Sequence, residues 1–302
     1  MTHNRNLIST SADILLHHKR YVVWFYLLNL VCAWWGAGAF SASAHNILDH
    51  SLYADKLLHS MDIFALGEMF ARPEFGPPES VTAPATWFAV LFFLASLLFM
   101  PGVLLGYASD HGISRAEFFR SCGHNLWRLL RLLLMFAIIG GITAGILFAI
   151  HMGLTKAAEQ GANDDRVPYF TRLGTLLMVF LVMTIVRAWF DLAQTDVVLR
   201  DQHATRKSVA AAFRLTRHNL GLLLGSYLVI ATVGVVILVG GLGLWYLIVP
   251  PASVLGAFLV SQGILLLLLA VRFWQRAAAV AFYVRKSAEQ DLQIEAPALA
   301  GV

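Results

Sequence analysis

The chain has 302 residues, of which 58% are apolar and 13% charged; its mean hydropathy is +0.69 and its formal net charge +4. That balance lies far from the composition of soluble domains and points to a bilayer as the solvent. So small a positive excess fits a one-sided basic stripe beside anionic lipid and calls for no nucleic-acid partner.

In chain order, residues 1–20 read as a cytoplasmic N-terminal segment carrying Arg5, Lys19 and Arg20. Six apolar stretches follow: Tyr21–Ala44, Ala85–Ala108, Leu129–Met152, Pro168–Ala188, Gly221–Val249 and Ser253–Val271. Each is long enough to cross the hydrocarbon core, which takes about 20 helical residues. The first ends in Ala42-Ser43-Ala44, as a cleaved signal peptide does. Its apolar run is nevertheless longer than the roughly 7–15 residues of a signal core. It also carries Trp24, Trp34 and Trp35, which suit interface anchoring, so an uncleaved span is expected.

Between the first two spans lies an outer loop, residues 45–84. Leu57, Leu58, Met61, Phe64, Ala65 and Glu68 predict a helix on the outer surface of the bundle, ended by Arg72-Pro73 and Phe75-Gly76-Pro77-Pro78. Phe64, Met69, Phe70 and Phe75 are expected to cover the bundle, with a cavity or a partner as the alternative use. His45, His50 and His59 share the loop without i, i+4 spacing, and the eleven histidines read as solvated polar residues; no metal site is expected. Cys32 lies in a span and Cys122 outside one, so they do not pair, and no CxxC is present.

Inside the spans, Pro101 is positioned to kink the second. Gly102 with Gly106, and Gly141 with Gly145, are small-xxx-small pairs that permit close helix approach. Gly225, Gly234, Gly240, Gly241 and Gly243 leave the fifth flexible or closely packed. Asn29, Ser96, Thr143, Thr184, Ser226, Thr232, Ser261 and Gln262 are candidates for interhelical hydrogen bonds, but too sparse for an ion-coupled transport path.

Residues 117–126 and 211–220 are two copies of one decapeptide pattern. Phe119-Arg120-Ser121-Cys122-Gly123-His124-Asn125-Leu126 precedes the third span, and Phe213-Arg214-Leu215-Thr216-Arg217-His218-Asn219-Leu220 precedes the fifth. Recurrence at constant spacing marks a duplicated unit, here a basic amphipathic helix, an elbow and a membrane hairpin. In the second copy Val209, Ala212, Phe213, Thr216 and Leu220 share one helical face, with Arg206, Arg214 and Arg217 elsewhere. In the first, Ser114 with Glu117 forms a capping-box start. Thr10, Asp13, Leu15, His18, Lys19 and Arg20 make a degenerate third copy. Such helices lie in the headgroup plane. At the elbows, Arg120, His124, Asn125, Arg214, Arg217, His218 and Asn219 read either as headgroup contacts near the first free amides of a span or as interface residues, with each Asn capping its span.

The span exits repeat as well. Val186-Arg187-Ala188-Trp189 matches Val271-Arg272-Phe273-Trp274, which makes Arg276 the counterpart of Asp191. Arg187, Asp191, Arg272 and Arg276 are expected to form one charge cluster at the cytoplasmic boundary; an interface belt of snorkelling arginines beside tryptophans is the plainer reading. Lys and Arg concentrate before the first span, after the second, fourth and sixth, and are scarce in the opposite loops, so both termini are expected inside.

Neither G-x-S-x-G, H-E-x-x-H nor a Walker loop occurs, and Asp164-Asp165 reads as a solvated turn. Val197-Val198-Leu199-Arg200-Asp201, the Ser208–Ala212 helix and Phe213–Leu224 together resemble a pattern of bacterial inner-membrane proteins. These include the six-span membrane domain that precedes some glycerophosphodiester phosphodiesterases, and its uncharacterised stand-alone relatives. The resemblance implies a helical membrane bundle; the catalytic barrel of those enzymes is not expected, since the chain ends at Val302, shortly after the last span.

The expected fold is all-α, a polytopic membrane bundle of six transmembrane helices in three hairpins with amphipathic interface helices. It forms one domain over 1–302, with 107–200 and 201–286 as related repeat units and 287–302 as a tail. The expected function is non-enzymatic: a lipid-contacting scaffold or accessory subunit of the bacterial inner membrane. A transporter or flippase for an amphiphile and an intramembrane lipid enzyme are the alternatives. Membrane lipids are the expected partners, with another membrane protein or a second copy of the chain as further candidates; no cofactor and no catalytic residue is expected.

Overall fold

The computed structural model describes residues 6–48, 67–68, 71, 78–109, 112–161, 166–250 and 253–299. The helix expected over residues 57–68, with Phe64, Met69, Phe70 and Phe75, therefore lies outside the described residues but for its last two positions, as do His50, His59 and Asp164-Asp165. Among the described residues every regular element is an α-helix: α1 Leu7–His17, α2 Lys19–Gly36, α3 Gly38–Leu48, α4 Pro78–Ala108, α5 Arg115–Gly161, α6 Arg166–Leu199, α7 Thr205–His218, α8 Leu220–Ile248 and α9 Val254–Leu299. The all-α bundle read from the sequence is the fold observed.

Among the described residues six helical segments are long and apolar enough to cross a membrane: Lys19–His45, which joins α2 to most of α3, Thr82–Ala108, Arg115–Gly161, Arg166–Leu199, Leu220–Ile248 and Val254–Glu289. The burial pattern is the reverse of a soluble core. On α6, Leu173, Leu176, Leu177, Met178 and Phe180 are exposed, whereas Phe190, Leu192, Ala193, Thr195, Asp196 and Val197 are buried. On α9, Val254, Leu255, Phe258 and Leu259 are exposed, and Phe273 with Ala277–Phe282 is buried. Water would not tolerate those exposed stretches over so long a surface; hydrocarbon does. The protein is a multi-pass integral membrane protein.

Helix lengths explain the buried polar ends. At about 1.5 Å per residue α6 runs about 51 Å, well beyond a core of about 30 Å. Its surplus must pack on protein rather than lipid. Trp189 Nε1 donates to the Val209 carbonyl at 2.8 Å, and the Trp189 ring lies 5.0 Å from Phe213, so the end of α6 is covered by α7.

The chain divides into two compact units. The first comprises residues 1–17, 100–231 and 274–302, and holds α1, α5, α6, α7, the last turns of α4, the start of α8 and the second half of α9. Its close approach is at Gly102, where a Cβ would stand 2.5 Å from the Phe118 ring and 2.9 Å from Cys122 Sγ. Ser11 of α1 is fully buried and accepts a hydrogen bond from Trp274 Nε1 at 2.9 Å.

The second unit comprises residues 18–99 and 232–273. Phe25 packs edge-on against Phe273 at 5.0 Å and Phe99 at 6.5 Å, and Tyr26 donates to Gln262 Oε1 at 3.1 Å. Gly36 meets the Ala85 backbone, and a Cβ on Gly241 would stand 2.5 Å from Ile264.

Several local expectations change. Gly141 and Gly145 face open space, so that pair makes no close approach here; Gly102, Gly234 and Gly241 do. Thr143, Thr184, Ser226 and Ser261 bond carbonyls three or four residues back in their own helices, not neighbouring helices. A hydroxyl in hydrocarbon takes the nearest acceptor, and its own backbone is always in reach. Gln262 does bond across helices, and so does His151, whose Nδ1 lies 2.6 Å from Thr175 Oγ1. Cys32 and Cys122 are both free and buried.

Candidate functional site

Three polar clusters gather in the first unit, where the long helices outrun their apolar windows. The one nearest to the expected charge cluster centres on Asp191. Its carboxylate is mostly buried, with Arg187 Nε at 3.9 Å one turn earlier on α6. Tyr227 of α8, wholly buried, donates to Asp191 Oδ2 at 2.9 Å. Arg276 of α9 lies close enough to act on the same phenol. Arg272 belongs to the second unit and is exposed. Tyr227 carried no signal in the sequence: a tyrosine in a long apolar run reads as lipid-facing.

The second cluster is built from the first decapeptide copy. No elbow forms at His124-Asn125, because α5 runs unbroken from Arg115 to Gly161. The capping box does form: Ser114 N–H donates to Glu117 Oε2 at 2.8 Å and Glu117 N–H to Ser114 Oγ at 3.2 Å. Asn125 is therefore interior to a helix; its amide donates to the Ser121 carbonyl and its Oδ1 accepts from Arg128 at 3.3 Å. Arg128, buried, binds the Asp201 carboxylate and reaches the His203 ring at 3.1 Å and His124 Nε2 at 3.3 Å. His124 Nε2 also lies 3.0 Å from Asp201 Oδ1. Asp201 adopts φ 50°, a left-handed conformation that Asp tolerates better than most residues. The Arg128 guanidinium, and after it His124, hold the Asp201 carboxyl below its ordinary range. The cluster latches the α6–α7 turn onto α5.

The third cluster surrounds a cavity of about 540 Å³. Its walls come from the end of α6 (Asp196, Arg200), from α7 and its exit (Arg214, His218, Asn219) and from α9 (Tyr283, Lys286, Glu289). Asp196 is buried and accepts from Tyr283 OH at 2.5 Å, with Arg200 Nε at 3.8 Å. Arg200 also sits 5.7 Å from the Tyr283 ring centre. Glu289 is held by Lys286 at 2.7 Å and Arg285 at 3.2 Å. Here the second decapeptide copy does break the helix: α7 ends at His218 and α8 begins at Leu220. The Asn219 amide donates back to the Leu215 carbonyl at 3.1 Å, so it closes α7 rather than capping α8.

The face of α7 also differs from the one expected. Thr205, Ser208, Val209, Ala212 and Thr216 are buried, while Phe213 and Leu220 are exposed. Docking on α6 selects small residues that let two helices approach, and leaves the larger ones outside. Arg120 and Arg217 are exposed and make no ion pair among the described residues. Asp196, Arg200, Tyr283, Lys286 and Glu289 were not singled out by the sequence as site residues. The signal for the first pair was present as an Asp four residues before an Arg at the end of an apolar run.

No group of three or more His, Cys, Asp or Glu able to hold a metal ion occurs among the described residues. No protein-family model matches the chain, and neither a curated protein nor a solved structure matches it.

Proposed function

We propose that the protein is a non-enzymatic, lipid-contacting scaffold or accessory subunit of a bacterial inner membrane, with both termini in the cytoplasm. One observation carries the reading: α7 docks its small-residue face on α6 and turns Arg206, Lys207, Arg214 and Arg217 outward at the polar end of the spans. A fixed basic helix at that depth attracts anionic headgroups, at about 1 kcal/mol per basic residue near the surface. The excess of Lys and Arg on that side sets the orientation through the positive-inside tendency. The resemblance of the sequence to membrane domains that accompany glycerophosphodiester phosphodiesterases is what suggests the bacterial inner membrane as the location.

The 540 Å³ cavity is lined by residues from Asp196 to Asn219 and from Tyr283 to Glu289, beyond the apolar mid-regions of α6 and α9, a position that suits headgroup contact.

The test is purification of the full chain in native lipid, with mass spectrometry of what accompanies it. Enrichment of anionic lipid over the bulk membrane, lost when Arg206, Lys207, Arg214 and Arg217 are all changed to Gln, is the result expected. A co-purifying lipid profile equal to the bulk membrane, unchanged by those substitutions, would refute the lipid-contacting role.

A further inference from the structure

We infer that the cavity bounded by Arg200, Arg214, His218, Tyr283 and Lys286 is a binding site for a phosphate group. This deepens the reading above, because it names one site and one ligand chemistry within the basic face.

The lining carries three cations, Arg200, Arg214 and Lys286, against the two carboxylates Asp196 and Glu289, an excess of one positive charge. Both carboxylates are already engaged, Asp196 by the Tyr283 hydroxyl and Arg200, Glu289 by Lys286 and Arg285. Engaged carboxylates offer little to a cation and repel an anion less than free ones. Arg214 has no ion-pair partner among the described residues, and no side-chain partner is found for His218. Both line the cavity from α7 and its exit, as Arg200 does from α6 and Lys286 from α9. A guanidinium presents parallel N–H donors that match two phosphate oxygens, and Arg214 is the lining cation that no carboxylate holds among the described residues. A cavity of about 540 Å³ is also roomy enough for a glycerol phosphate as well as bare phosphate. Phe213 and Leu220, exposed apolar residues bracketing Arg214 and His218 in the chain, suit a phosphate that arrives on an acyl glycerol.

The ligand is thus a phosphate monoester or diester, either a lipid headgroup or free in solution. Full-length protein in neutral detergent would be titrated calorimetrically with dihexanoyl phosphatidylglycerol, inorganic phosphate and dihexanoyl phosphatidylcholine. Saturable binding of the anionic lipid is expected, weakened about tenfold by Arg214→Gln, the loss of roughly one charge-assisted hydrogen bond. Arg115→Gln, an exposed arginine at the start of α5, should leave it unchanged. Arg214→Lys, which keeps the charge but not the fork, should fall between, and covers the case in which the Gln variant fails to fold. Binding of inorganic phosphate with the same Arg214 dependence, without lipid binding, supports the site and removes lipid from the proposed function. Absence of saturable binding by either anion, or equal weakening by Arg115→Gln, overturns the proposal; enrichment of anionic lipid in native membranes would then have to come from other surfaces.

Discussion

Tyr227→Phe is a direct test of what holds the ends of α6 and α8 together. The phenol is fully buried and its one hydrogen bond, 2.9 Å to Asp191 Oδ2, ends on a charged acceptor. Two magnitudes compete. Neutral interhelical bonds in bilayers average about 0.6 kcal/mol, whereas bonds to a charged group inside a folded protein contribute about 1.5–3 kcal/mol. The Asp191 side chain is only 11% exposed and Tyr227 is wholly buried, so the bond belongs to the second case. A loss of about 2 kcal/mol is expected. The Arg187 contact, at 3.9 Å, has a Coulombic ceiling of about 4 kcal/mol at an effective dielectric of about 20. Arg187 is 39% exposed, however, so solvent screening brings the expected cost of Arg187→Gln to about 1 kcal/mol or less. Denaturant titration in mixed micelles, with the cycle Tyr227→Phe, Asp191→Asn and both, measures these terms. Coupling of about 1.5 kcal/mol or more is expected between Tyr227 and Asp191. If Tyr227→Phe costs less than Arg187→Gln, or the coupling is below about 0.5 kcal/mol, the reasoning about a desolvated charged bond is wrong.

Other substitutions separate packed from open positions. Gly102→Ala places a methyl 2.5 Å from Phe118 and should cost about 1–3 kcal/mol in the same titration, while Gly141→Ala, which meets nothing, should stay within about 0.5 kcal/mol. Trp189→Phe removes the donor to the Val209 carbonyl and should raise the rate of protease cleavage within α7 several-fold, a local opening with little change in global stability. For pH, the Asp201 carboxyl is held below its ordinary range by Arg128 and then His124, so it favours the folded latch above the unfolded value, about 3.9. That contribution is lost as pH falls through the lower folded value. Protease cleavage of the α6–α7 turn should therefore rise on acidification below about pH 4, and Asp201→Asn should flatten that rise.

The membrane class and the six spans were legible because length and apolarity alone decide them; no partner residue needs to be known. The capping box at Ser114 was legible for the same reason, since both its members lie within one turn. The elbow at His124-Asn125 was misread because the same decapeptide tolerates two outcomes. In the second copy the break falls at Asn219, whereas in the first Asn125 and Arg128 bond each other on one continuous helix. The copies differ just beyond the shared residues: Arg128, which binds Asp201 73 residues away, has Leu222 as its counterpart in the second. The site residues Tyr227 and Tyr283 were illegible in a stronger sense. Each tyrosine lies in an apolar run, and only the approach of α8 and α9 to the buried carboxylates of α6 gives its hydroxyl a function.

The proposed topology has six spans with their basic ends facing the cytoplasm. It is tested most directly by labelling single cysteines in whole cells with a membrane-impermeant maleimide, after Cys32 and Cys122 are replaced. Cysteines at Ala83 and Gly161 should label in intact cells, and one at Arg206 only after the membrane is permeabilised. Labelling at Arg206 from outside, or protection at Gly161 until permeabilisation, would contradict the account.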